Sequence, residues 1–205
     1  MSRLLCLSIL HPAHILRGKW GLEPAQVMYL RRVKQVLDGT HPPRLDPNVT
    51  PTDFLTAPTL RDLDVWSAGG RLQLGVACDI EAAGDLLVAI GFCRLSDLAC
   101  VCVPFRRAGG APYWERPEDA VLAARWCAVI LESLSVPLIF HNGAYDVTEL
   151  ERYGFTVRGW VDDTMVMVHT AYPEFPKRLG FLGSLVGMPE WKQLAKAEEA
   201  VEDKE

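Results

Sequence analysis

The residues best suited to chemistry are acidic and occur in three short clusters. Asp79-Ile80-Glu81 closes an otherwise apolar stretch that starts at Leu72. In a strand, residues two apart point to the same side, so Asp79 and Glu81 project together while Ile80 turns the other way. Two adjacent carboxylates repel each other unless a cation neutralises them; a polar strand end facing solvent would look the same. The second cluster is His141-Asn142-Gly143-Ala144-Tyr145-Asp146, after the apolar run Val136–Phe140. Asn142 suits a helix N-cap, and Asp146 lies one helical turn further on. Simple capping is the alternative. The third is Asp162-Asp163-Thr164-Met165, where one aspartate could cap a following helix. Read jointly, three strand ends each carry a carboxylate. Oxygen-rich clusters select hard divalent cations such as Mg²⁺ or Mn²⁺. A pair of such ions can activate water and stabilise the leaving oxygen in phosphodiester cleavage.

These clusters need a sheet to hold them. Strands are predicted at Leu72–Cys78, Leu86–Leu95 and Ala99–Phe105, joined by short turns such as Ala82-Ala83-Gly84-Asp85 into an antiparallel meander. A helix follows over Glu118–Leu134, initiated by Pro117. Next come a fully apolar strand, Val136–Phe140, a helix, Ala144–Tyr153, closed by Gly154, and a strand, Val157–Val161. Pro137 argues mildly against a central place for its strand. Further helices begin at Thr164 and Leu179. The order β-β-β-α-β-α-β-α predicts an α/β fold with a mixed sheet. Ahead of it, residues 38–60 hold Pro42, Pro43, Pro47, Pro51 and Pro58 and read as a linker. Residues 1–37 form a small appendage: an apolar run, a turn, and a basic helix with Arg31, Arg32 and Lys34 flanking an apolar stripe.

The chain has 205 residues, 49% hydrophobic and 23% charged, with a formal net charge of −5. These values suit a globular fold and exclude wholesale disorder or a uniformly basic nucleic-acid binder. A local basic patch stays open: Lys177 and Arg178 could meet a phosphate backbone, or form a solvated helix start. Tyr113 and Trp114 could stack on a base or pack within their loop. His169 reads as a surface or packed histidine. No apolar run reaches membrane-spanning length. The six cysteines lie in apolar stretches without a C-x-x-C pair, where thiols behave as small hydrophobes. A reduced, cytoplasmic setting is expected.

The ordered set D-x-E at Asp79 and Glu81, N-x-x-x-D at Asn142 and Asp146, and D-T-M at Asp163-Thr164-Met165 resembles the DEDD superfamily of 3′–5′ exonucleases. The likeness is greatest to the proofreading domains of family A DNA polymerases and to phage forms, and it covers about residues 61–192. It implies a ribonuclease H-like fold and two divalent cations, Mg²⁺ or Mn²⁺. It makes Asp79, Glu81 and Asp146 three of the four metal-holding carboxylates, with Asn142 and Asp163 supporting. The implied substrate is a single-stranded DNA 3′ end, in a bacterial or phage-infected cell. The fourth carboxylate of that family, on a Y-x-x-x-D or H-x-x-x-x-D helix, has no counterpart after Leu179–Val186. The chain continues Met188-Pro189-Glu190-Trp191-Lys192, and Asp203 has Glu199 four positions before it. Residues 61–205 are therefore expected to be an exonuclease-like domain without its last helix and impaired in catalysis. The alternative is an inactive single-strand nucleic-acid-binding module of the same fold.

Ile9-Leu10-His11-Pro12-Ala13-His14-Ile15-Leu16-Arg17 resembles the late H-P-S/A-x-x-L-R motif of uracil-DNA glycosylases. On that likeness residues 1–37 are a remnant of an upstream glycosylase-like domain. A polymerase or glycosylase encoded alongside is the implied partner. An ordinary strand, turn and amphipathic helix is the alternative.

Overall fold

The computed structural model of the chain describes residues 17–18, 22–40 and 54–186. It divides into two compact units. One runs from Thr50 to Met167; the other joins Met1–Val49 to Val168–Glu205. The glycosylase-like stretch up to Leu16, the proline-rich residues 41–53 and the tail from residue 187 lie outside the described residues. Glu202 and Asp203 lie there too.

The first unit is built on a six-stranded mixed sheet. Its strands are β1 (Phe54–Leu55), β2 (Val76–Ala83), β3 (Leu86–Arg94), β4 (Cys100–Pro104), β5 (Leu138–Phe140) and β6 (Trp160–Asp163). Their spatial order is β1-β4-β3-β2-β5-β6. Strands β2, β3 and β4 form the expected antiparallel meander. The β1–β4, β2–β5 and β5–β6 pairs are parallel. Pro137 sits just before β5, and its carbonyl accepts from the Val76 N–H at 2.9 Å. The missing proline N–H therefore interrupts no pairing within β5.

Two strands differ from the sequence expectation. The segment Leu72–Leu74 is a single 3-10 turn, and Gly75, at φ +118°, turns the chain into β2. As β2 runs on to Ala83, Asp79 and Glu81 lie inside the strand rather than at its end. The last strand starts at Trp160, three residues later than expected. The Arg158 N–H is donated to the Leu131 carbonyl, and a Cβ on Gly159 would sit 2.2 Å from the Val136 oxygen. These contacts hold 158–159 against the end of the helix that closes at Leu131 and the segment after it, and the strand runs on to include Asp162 and Asp163. Within the stretch read as a linker, Phe54–Leu55 add an edge strand.

One sheet face makes the core. Val76, Cys78 and Ile80 of β2, Ile90 and Phe92 of β3, and Val101 and Val103 of β4 alternate inward, as strand periodicity requires. They pack on Leu63 and Trp66 of α2 (Leu60–Ala68) and on Ala123, Cys127 and Ile130 of α3 (Pro117–Leu131). Helix α2 opens on a capping box: the Thr59 hydroxyl accepts from the Asp62 N–H, and the Asp62 carboxylate accepts from the Thr59 N–H at 2.8 Å. Trp66, Phe92 and Trp126 meet edge to face or tilted, with centroids 5.6 to 6.4 Å apart.

Arg94 closes this core at one end. Its guanidinium donates to the Trp66 carbonyl at the end of α2, lies 5.0 Å from the Trp66 ring, and pairs with Asp97 at 2.8 Å. Asp97 is solvent-exposed, so the ion pair itself adds little. The buried hydrogen bond and the stacked stem carry the effect.

In the second unit, α1 (Glu23–Leu37) packs on α6 (Leu179–Val186), with Tyr29 Oη 2.8 Å from Ser184 Oγ. Tyr172 stacks on Phe175 at 4.7 Å, and Phe175 meets Phe181 edge-on. No helix among the described residues is long and apolar enough to cross a membrane.

Replacing Arg94 with Ala removes the α2 cap and the cover over Trp66. Urea unfolding should show a loss of about 2 kcal/mol. A loss below about 0.5 kcal/mol would show that Arg94 closes nothing.

Candidate active site

Asp79 and Glu81 stand on the sheet face opposite the core, both exposed, while Ile80 between them is buried. Their cross-strand partners are Gly91 and Ala89. Such small neighbours leave the two carboxylates clear of the strand beside them. A bulge follows at Glu81/Ala82 and re-aims the end of β2.

Asp146 reaches the same strand from the other side. It lies in the first turn of α4 (Gly143–Arg152) and is only 5% exposed. The pairing of β2 with β5 covers only Val76 with Leu138 and Ala77 with Ile139. The Val76 N–H points toward β5, and alternation points the Ile80 N–H the same way. No β5 residue pairs with Ile80, and its amide instead favours the Asp146 carboxylate. Burial, and next the Asp79 charge, push the Asp146 pKa up to about 6. The Ile80 and Asp146 N–H groups pull it down, and the Asp163 charge adds a further upward push.

The helix start that carries Asp146 is fixed by Asp163. Its carboxylate accepts from the N–H groups of Asn142 at 3.1 Å, Gly143 at 2.7 Å, Met165 at 2.8 Å and Val166 at 3.3 Å. Burial raises the Asp163 pKa, but these four bonds outweigh it and hold the carboxyl below its usual range. One side chain thus caps α4 and also α5 (Thr164–Ala171). Asn142 occupies the N-cap position of α4, but its side chain makes no capping bond and its backbone is left-handed at φ +66°. Capping by Asn142 is therefore corrected to capping by Asp163; asparagine suits the position because it tolerates that conformation. A Cβ on Gly143 would sit 2.6 Å from Phe140 Cβ and 3.2 Å from the Trp160 ring. Only glycine lets α4 start this close to β5. The His141 ring nitrogen lies 2.9 Å from the Thr164 hydroxyl, which donates to the Phe140 carbonyl at 3.2 Å.

The structure thus brings Asp79, Asp146 and Asp163 into one electrostatic neighbourhood and sets Glu81 on the same strand face as Asp79. The Glu81 charge also reaches the Cys102 thiol, which burial and then Glu81 push up in pKa. Among the described residues no three His, Cys, Asp or Glu side chains converge into a ready-made cation cage. The donor chemistry fits a hard divalent cation: the donors are oxygens only, and Asp146 ionises against the Asp79 charge.

Lys177 is in the second unit, and its ammonium donates to the carbonyls of Tyr172, Pro173 and Phe175 at 2.7 to 2.9 Å. Arg178 beside it is exposed, as is His169. Tyr113 and Trp114 meet edge-on at 5.1 Å, and the Arg107 guanidinium lies 5.6 Å from the Tyr113 ring. A mostly apolar cavity of about 650 Å³ is lined by Leu87, Phe105, Trp114 and Tyr153 among others, with none of the site carboxylates. Sequence reading missed Gly143 and Thr164. Both lie inside the quoted motifs, but their roles depend on contacts with the strands β5 and β6.

Comparison with known proteins gives no matching family model and no matching curated protein. Among solved structures, the chain is similar to an EXD2 exonuclease domain soaked in Mg, with 18% identity and a TM-score of 0.45. That likeness covers 58% of this chain and 61% of the other, so less than two thirds of that domain is spanned. A second structure of the EXD2 exonuclease domain gives 17% identity and a TM-score of 0.45, covering 67% and 71% of the two chains. The POL domain of Pol1 from M. smegmatis, in complex with DNA primer-template and dNTP, gives 20% identity and a TM-score of 0.40. That match covers 56% of this chain and 19% of the polymerase.

The raised pKa of Asp146 has a signed consequence. The carboxyl goes from 3.8 to about 6 on folding, so ionising it costs folded-state stability as pH rises through that interval. Without divalent cations, Asp146→Asn should be more stable than the parent by about 2 kcal/mol above about pH 7. The two should converge below about pH 4. Urea melts across this range in a chelator measure the gap, and a parent that gains on the variant as pH rises would contradict the assignment.

Proposed function

We propose that the chain is a metal-dependent 3′–5′ exonuclease domain that hydrolyses phosphodiester bonds at single-stranded DNA ends. The observation that carries this reading is the buried Asp146, raised in pKa by burial and then by the Asp79 charge, with the exposed Glu81 on the same strand face as Asp79. Carboxylates forced together at a sheet face have an electrostatic use when a divalent cation joins them. In this reading Asp79, Glu81 and Asp146 hold Mg²⁺ or Mn²⁺, two ions in the full mechanism. A bound cation supplies neutralisation of the phosphodiester charge and activation of water. Asp163 keeps Asp146 in place through the α4 amides, and Asn142 supports the same turn. The ribonuclease H-like core corresponds to residues 61–205, with residues 1–37 as the remnant of a glycosylase-like domain and 38–60 as linker. A polymerase or glycosylase encoded alongside, in a bacterium or phage-infected cell, is the proposed setting. Lys177 is the weakest part of the proposed DNA contact, because three carbonyls already engage its ammonium.

A second reading is favoured by the absence of a three-donor cage among the described residues. It is a single-strand nucleic-acid-binding module of the same fold without catalysis.

End-labelled single-stranded DNA with Mn²⁺ separates the two. Stepwise shortening from the 3′ end that Asp79→Ala or Asp146→Asn reduces at least about a hundredfold supports the enzyme. Binding with no shortening supports the module and removes the enzyme reading.

A further inference from the structure

Cys93 and Cys100 are direct cross-strand partners on β3 and β4. The Arg94 N–H donates to the Ala99 carbonyl at 3.0 Å. The Arg94–Ala99 pair is therefore a hydrogen-bonded one, and the Cys93–Cys100 pair next to it is of the non-hydrogen-bonded kind. Such pairs hold their Cα atoms about 4.5 Å apart with side chains leaning together. A disulfide spans Cα separations of about 4.4 to 6.8 Å. The turn between the strands cannot splay easily. Asp97 is held by Arg94 through Nε at 3.0 Å and Nη2 at 2.8 Å, and it accepts from the Ala99 N–H at 3.3 Å. The Leu98 N–H closes the turn on the Arg94 carbonyl at 2.9 Å. Both cysteines lie on the face opposite the core and are half-buried, within reach of small solutes.

We propose that Cys93 and Cys100 form a cross-strand dithiol that closes to a disulfide by exchange with small-molecule disulfides of the glutathione type. The carboxylate site does not require this chemistry. The Cys93 thiolate attacks one sulfur of the small disulfide. One S–S bond forms, the old one breaks, and the departing thiolate takes up a proton. The Cys100 thiolate then attacks the Cys93 sulfur and expels the second small thiol. Two protein thiols are oxidised, and one small disulfide is reduced to two thiols.

Cys93 is the suitable attacker. The neighbouring Cys100 thiol, and after it the Arg94 charge, draw its pKa below the ordinary thiol value; burial and Asp97 oppose the shift. Burial pushes the thiols of Cys78, Cys102 and Cys127 the other way, up in pKa. Cys102 follows Cys100 by two residues on the same face, which makes it the natural competitor and the critical control.

The test uses the full chain in oxidised and reduced glutathione, quenched with acid, alkylated with iodoacetamide and mapped by mass spectrometry. The expected product is a monomer two hydrogens lighter, carrying a Cys93–Cys100 cross-linked peptide that reverts under reduced glutathione. Cys102→Ser should retain the cross-link. Cys100→Ser should lose it and accumulate a glutathione adduct on Cys93. The mapping of the unsubstituted chain stands whether or not the variants fold. A link from Cys102, a link between two chains, or oxidation of the parent that stops at glutathione adducts would overturn the proposal.

Discussion

The parallel pairing of β2 with β5 runs for two residue pairs, and the Ile80 amide then points beyond the last β5 residue in register with it. A buried N–H requires an acceptor. Here the group whose charge that amide favours is the Asp146 carboxylate, from a helix, not a carbonyl from a strand. That exchange explains several other features. It draws α4 close against the sheet, so Gly143 must lack a side chain against Phe140. It places an ionisable group where only backbone dipoles would otherwise lie, with Asp79 one residue away on β2. Burial there, and then the Asp79 charge, raise the pKa of Asp146 against the pull of that amide.

Asp163 complements this arrangement. Four amides from two helix starts converge on its carboxylate, so its charge is balanced by backbone dipoles. Asp146 has weaker compensation and a like charge nearby. Two aspartates at neighbouring strand-to-helix junctions therefore differ in character: one is satisfied by the fold, the other is left with unbalanced charge. The difference arises from amide count and burial, not from residue type.

The legible parts of the sequence were those set by local periodicity. Alternation along β2 placed Asp79 and Glu81 on one side and Ile80 in the core, and the meander follows from short turns between apolar runs. The strand bounds were less legible. Gly75 delays β2, and packing of 158–159 on α3 and the segment after it delays β6; both depend on contacts far along the chain. Asn142 shows the same limit. Its type suits an N-cap, but Asp163, twenty-one residues later, takes that task and leaves Asn142 a left-handed backbone. For Lys177, residue type left a phosphate contact and a solvated helix start both open; its turn brings three carbonyls to the ammonium.

The sheet borders have a consequence of their own. An open strand border is a template for pairing with another copy of the chain. The β1 strand, two residues long, covers the apolar β4 on one side. On the other side β6 ends in Asp162 and Asp163, whose charges oppose the approach of an identical border. Among the described residues neither end offers a long, neutral ladder. The fold thereby discourages strand-by-strand self-association while keeping its acidic face open.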